Sequence, residues 1–205
     1  PEEALVFYRS KGDERTLSGI LSLNVDQVSF VHDLSQSPLR AFAEVEYWFG
    51  FRLPGGENFI SPTYTFLYAD NRFQWRQIQD DPIVINWYEG DLAFGQMALD
   101  TAQTSLENAR VWIDYPVPAH LRLYIYASST EMQSTMRLGG VSLVGGHASP
   151  DLGVMIVSLP GGAEQQAETE RQVPHEMMHI LLYQKLGSGY AYLPTWLLEG
   201  LASKN

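Results

Sequence analysis

Two histidines four residues apart, His175 and His179, constrain this chain more than any other feature. On a helix, positions four apart stack on one face, so both rings can aim a nitrogen at a single metal ion. Glu176 sits about 100° around the helix from His175, given roughly 3.6 residues per turn. Its carboxylate therefore borders such a site without having to bind the metal, and it is placed to take a proton from metal-bound water. The segment His175-Glu176-Met177-Met178-His179 must then be helical and must face a cleft.

Two histidines leave a zinc ion short of protein ligands, since catalytic zinc sites supply three and keep one position open for water. One class of proteins with the HExxH arrangement takes the third ligand from a histidine six residues after the second, past a glycine at the third. Lys185 and Leu182 stand at those positions here, which excludes that class. The other class takes a glutamate from a following helix. Glu199 lies twenty residues past His179, inside Leu193–Ala202. Pro194 suits a helix start, where its missing N–H costs nothing. Leu197, Leu198 and Leu201 are spaced to pack that helix on the first, and Gly187-Ser188-Gly189 can end the first helix and let the chain double back.

Together, His175-Glu176-x-x-His179 and Trp196-x-x-Glu199-Gly200-x-Ala202 resemble the glutamate-type zincins (gluzincins), the thermolysin-like peptidases among them. The likeness is closest to bacterial peptidase families grouped as MA-like, and it is specific over about residues 170–203. It implies that His175, His179 and Glu199 bind Zn²⁺, that Glu176 is the general base, and that the substrate is a peptide or protein. Leu198 stands where the related aminopeptidases place asparagine, so aminopeptidase specificity is not supported.

With 205 residues, 45% of them hydrophobic and 12% aromatic, the chain can hold one large domain or two small ones with a real core. A net charge of −11 argues against nucleic acid, which requires clustered Lys and Arg. No apolar run is long enough to span a bilayer, and no basic amphipathic stretch points to a membrane surface. The absence of cysteine rules out disulfides and thiolate ligands. Because the chain starts at Pro1 and not at methionine, a removed signal or anchor, and hence an extracellular or cell-envelope location, is the expectation.

The fold class expected is α+β: an N-terminal β-sandwich over residues 1–79, then a zincin-like catalytic domain over 80–205. Leu17–Leu23, Gln27–His32, Leu39–Arg52 and Ser61–Tyr68 are rich in β-branched and aromatic residues, with a strong turn at Pro54–Asn58. Several strands without an evident helix suggest a small sandwich of immunoglobulin-like type. Asp80-Asp81-Pro82 marks the boundary. Beyond it, Ile83–Tyr88 and Leu121–Ala127 read as strands, and Asp91–Val111 as a helix with Leu92, Met97, Thr101, Leu106 and Ala109 near one side. A second helix is capped near Ser128 or Ser129, with Glu131 close behind. Gly139–Gly146 is glycine-rich, and Gly153–Leu159 is expected to be the edge strand bordering the cleft, where a peptide could add as a further strand. A polar helix from near Ala163 leads through Pro174 into the histidine helix.

Other signals have plainer readings. Met177, Ile180, Leu181 and the five tryptophans read as core, and His147 as a residue closing a turn. Gly140-x-x-x-x-Gly145-Gly146 lacks the Lys-Ser/Thr of a phosphate loop. The expected function is zinc-dependent hydrolysis of peptide bonds. The alternative is a non-catalytic zinc-containing protein whose β-rich domain recognises a partner, and retention of Glu176 speaks against it. Gluzincins place an oxyanion-binding histidine or tyrosine beyond the third ligand, whereas only six residues follow Glu199. The expectation is a catalytic domain truncated at its C-terminus, or one that borrows Tyr183, Tyr190, Tyr192 or His147.

Overall fold

A computed structural model describes residues 1–25, 27–114, 120–138 and 146–203. The chain is α+β and divides into two compact units, Pro1–Asp70 with Thr135–Val141, and Asn71–Ser134 with Ser142–Asn205.

The first unit carries strands β1 (Glu3–Ser10), β2 (Leu17–Ile20), β3 (Ser22–Leu23), β4 (Val28–Ser29), β5 (Glu44–Arg52), β6 (Asn58–Ile60) and β7 (Tyr64–Leu67). β1 pairs antiparallel with β2 and β5, and β5 pairs with β6 and β7. The alternation of β1 sorts its side chains between two faces. Ala4, Val6 and Tyr8 are buried with Val45 and Leu39, while Arg9 bonds Glu46 at 3.0 Å on the other face. The turn after β5 closes as expected, with Leu53 N–H donating to Glu57 O at 2.8 Å.

An immunoglobulin-type sandwich needs two sheets packed face to face. The described residues of this unit form one five-stranded sheet and a separate two-stranded ribbon, β3 with β4. Phe30, Leu34 and Leu39 close the apolar face of the larger sheet. The long run Leu39–Arg52 is strand only from Glu44, and the N-terminal strand β1 was not anticipated.

The second unit is built on a mixed sheet of β8 (Arg76–Asp80), β9 (Ile83–Trp87), β10 (Leu121–Tyr126), β11 (Gly146–Ser149) and β12 (Val154–Ser158), in the order β11-β12-β10-β9-β8. The three inner strands are parallel, and the outer two run antiparallel to them. β8 bonds β9 along its whole length, so the expected boundary at 79/80 cuts into this sheet; the division falls at 70/71 instead.

The described residues form four α-helices: α1 (Leu92–Trp112), α2 (Ser129–Leu138), whose residues from Thr135 on fall with the first unit, α3 (Gln165–Leu186) and α4 (Thr195–Ala202). Asp91 caps α1 by accepting from Phe94 N–H at 3.0 Å. Ser128 Oγ accepts from Glu131 N–H at 3.3 Å ahead of α2 and donates to the Glu131 carboxylate at 2.7 Å. One sheet face packs Ile83, Ile85, Trp87, Leu123 and Met155 against Ala98 and Ala102 of α1 and Met177, Ile180 and Leu181 of α3. Leu92 lies outside that face at 71% exposure, so the buried stripe of α1 runs instead through Phe94, Ala98, Ala102 and Ala109. Of the tryptophans, Trp87 is fully buried while Trp112 and Trp196 are on the surface. Among the described residues, no helix is long and apolar enough to cross a membrane.

The order of the strands overturns one expectation. β12, the segment expected at the edge, lies between β11 and β10, and all five of its residues are buried. An uninterrupted apolar run such as Val154-Met155-Ile156-Val157 belongs to a strand covered on both faces. The edge is β11, only four residues long and partly exposed.

Candidate metal centre

α3 is one continuous helix of 22 residues with Pro174 inside it. Proline has no N–H to offer Glu170 O, which ordinarily weakens a helix at that turn. Here Val173, Met177, Ile180 and Leu181 recur on one side and are almost completely buried in the core, which holds both halves in line. His175 and His179 then share a second side, one turn apart.

α3 ends at Gly187, whose φ of 54° is open to glycine and costly for other residues. A 3-10 turn, Gly187–Tyr192, reverses the chain, and α4 starts after Pro194, which occupies the cap position. α4 docks through the buried Ala202 and the partly buried Leu198, while Leu201 stays 37% exposed. This docking brings Glu199 back to the two histidines.

The three side chains converge. His175 Nε2 lies 3.4 Å from His179 Nε2 and 3.3 Å from Glu199 Oε2, and His179 Nε2 lies 3.7 Å from Glu199 Oε1. Bonds of about 2.0–2.1 Å in a tetrahedron give ligand-to-ligand edges of about 3.3–3.4 Å, so the spacing fits one zinc-sized ion. Among the described residues, no other group of three histidines or carboxylates comes together in this way. The donor set, two imidazoles and a carboxylate, is one that zinc accepts readily.

Glu176 is buried, at 7% exposure. Burial, and secondarily the charge of Glu199, push its carboxyl up to about 8. The wall over it is β11. A Cβ at Gly146 would collide with Glu176 Oε1, so with the carboxylate where it stands the edge strand passes this close only as glycine. Ala148 also faces the core, packing on the same cluster as α3. His147 lies between them in the strand, so it projects to the opposite face, where its Nε2 is 3.2 Å from Ser149 Oγ. It neither closes a turn nor reaches the site.

His179 is 8% exposed, and burial lowers its basicity, helped by the neighbouring His175 and opposed by Glu199. Its other ring nitrogen, Nδ1, lies 3.1 Å from Tyr190 Oη. Tyr183 packs edge-on against the Tyr190 ring, and Tyr192 is 87% exposed. Of the four residues considered as substitutes for the oxyanion donor, Tyr190 is the one within hydrogen-bond distance of His179. Gly146 and Tyr190 are the two site residues that spacing alone did not single out. A groove of about 640 Å³ between α1 and the first half of α3, lined by Met97, Thr101, Gln166 and Pro174, includes none of the converging ligands.

A family model described as the peptidase MA superfamily matches residues 101–204, slightly more than half of the chain. No curated protein matches the chain. Among solved structures, purple acid phosphatase PPD1 from yellow lupin (Lupinus luteus) seeds is similar at 13% identity with a TM-score of 0.25, over 85% of this chain and 35% of that one. The chain thus spans about a third of that structure, and a likeness so slight bears on neither fold nor activity.

Proposed function

The chain belongs to the peptidase MA superfamily, and from that premise we propose that it is a zinc-dependent peptidase, with His175, His179 and Glu199 holding the metal and Glu176 acting as general base. The observation that carries this reading is the convergence of two imidazoles and a carboxylate, their ligand atoms within 4.8 Å of one another, beside a further, buried carboxyl group. A purely structural metal site has no use for that fourth, proton-accepting residue. When bound, zinc supplies a Lewis acid that polarises the scissile carbonyl and makes a water more acidic.

The residues of the chain do the rest. Glu176 takes the proton of the attacking water and passes it to the departing amine, a step typically worth about 10² to 10⁴ in rate. In the metal-free chain burial holds this carboxyl above the ordinary carboxylate range; a bound dication beside it would draw it back down, toward the ionised form that a base needs. Burial under β11 excludes competing water from the carboxylate. His175 and His179 would each donate an imidazole lone pair, which for His179 desolvation favours. Among the described residues, β11 is the outer strand of the sheet on the side of Glu176, and a peptide substrate would lie along it in extended form.

Elemental analysis of the purified protein, paired with cleavage of a quenched-fluorophore peptide library, tests the proposal. One zinc per chain is expected in the parent and in Glu176→Gln, with hydrolysis confined to the parent. Parent protein without zinc, or Glu176→Gln cleaving at the parental rate, sinks it. Zinc bound in a parent that cleaves no peptide would favour a non-catalytic role.

A further inference from the structure

We propose that Tyr190 is a positioning residue for the metal centre: its phenol oxygen accepts a hydrogen bond from His179 Nδ1–H and so commits Nε2 to the metal. The inference rests on the zinc reading above. A neutral imidazole carries one proton, and the nitrogen that binds a metal must be the one without it. His179 directs Nε2 at His175 and Glu199, so the proton belongs on Nδ1, and Tyr190 Oη is the acceptor 3.1 Å away. Outer partners of this kind fix both the tautomer and the orientation of the ring.

The position of Tyr190 in the chain gives the contact a second consequence. It lies in the 3-10 turn Gly187–Tyr192, between the helix that carries His175 and His179 and the helix that carries Glu199. Leu193 N–H donates to Tyr190 O at 3.1 Å, and the Tyr183 ring packs against the Tyr190 ring with centroids 5.7 Å apart. One hydroxyl therefore ties the turn that delivers the third ligand to the side chain of the second. Removing it frees the His179 ring and loosens the approach of Glu199 together.

Tyr190→Phe, with Tyr183→Phe as the control, tests this. Phenylalanine keeps the ring packing and removes only the oxygen. Zinc affinity, measured by competition with a chromophoric chelator, should fall about 10- to 100-fold in Tyr190→Phe and stay at the parental value in Tyr183→Phe. In the zinc-loaded parent, nitrogen-15 NMR should show a slowly exchanging Nδ1 proton on His179, and that signal should be lost in Tyr190→Phe. Parental affinity together with a protected Nδ1 proton in Tyr190→Phe overturns the role given to Tyr190 while leaving the zinc reading intact. A parent that binds no zinc overturns that reading and this inference with it.

Discussion

Gly146 lies so close to the carboxylate of Glu176 that any side chain at 146 would meet Oε1. The edge strand of one element and the proposed base on another are thereby fitted to each other. A methyl group here must displace either the strand or the carboxylate. A misplacement of about 1 Å can cost about 10²-fold in rate. Gly146→Ala should therefore lower kcat by about that factor while zinc content stays at the parental level, because none of the three proposed ligands is touched. Metal analysis beside steady-state kinetics checks it, and unchanged kcat would show that β11 yields without moving Glu176.

Stability against pH should carry the mark of Glu176. Its carboxyl titrates at about 8 in the folded protein, against 4.5 for the ordinary group. Between those values the folded state holds a proton that the unfolded chain has released. Stability of the metal-free protein should then fall as pH rises from about 4.5 to 8 and level off above, by a few kcal/mol at roughly 1.4 kcal/mol per unit. His179 works the other way at lower pH: its lowered pKa costs stability as pH drops below about 6.5. Comparing parent with Glu176→Gln isolates the first effect. Thermal denaturation of the two metal-free proteins should show the variant gaining on the parent as pH rises to 8–9, and parallel curves would contradict it.

Zinc should stabilise the fold, since the three proposed ligands come together only after α4 has docked on α3. At a thousandfold excess over Kd the gain is about 4 kcal/mol. His175→Ala, His179→Ala and Glu199→Ala should each lose most of that gain, measured as the shift in Tm on adding zinc. A variant with the full parental shift would remove its residue from the ligand set.

Ser128 gives a test away from the metal. Its hydroxyl accepts from Glu131 N–H at the start of α2, and the Glu131 carboxylate also receives the Tyr88 hydroxyl at 2.7 Å. Ser128→Ala should destabilise the protein by about 1 kcal/mol and leave zinc affinity alone. Urea denaturation alongside chelator competition reads both, and an unchanged midpoint would mean that the cap contributes nothing.

What could be read along the chain is what depends on near neighbours. His175 and His179 share a helix face because 3.6 residues make a turn, and no distant contact is needed to say so. The cap at Ser128 is likewise settled within three residues. Val154–Ser158 was legible as a strand, but its place in the sheet was not, because the neighbours of a strand are chosen by distant segments. The weak-looking Gly146–Ser149 is the edge only because β10 already occupies the other side of β12. β8 belongs to the second unit for the same reason: its partner is β9.

The sequence by itself determined the chemistry available: two imidazoles one turn apart, a carboxylate beside them and another on the next helix. Tertiary structure decided how that chemistry is conditioned. The proton affinity of Glu176 comes from burial, in a site walled on one side by a strand whose glycine admits it. Among four eligible side chains, Tyr190 reaches His179 because the turn after Gly187 folds back. Desolvation and close approach are properties of space filled from several directions at once, and they exist only after the chain has closed on itself.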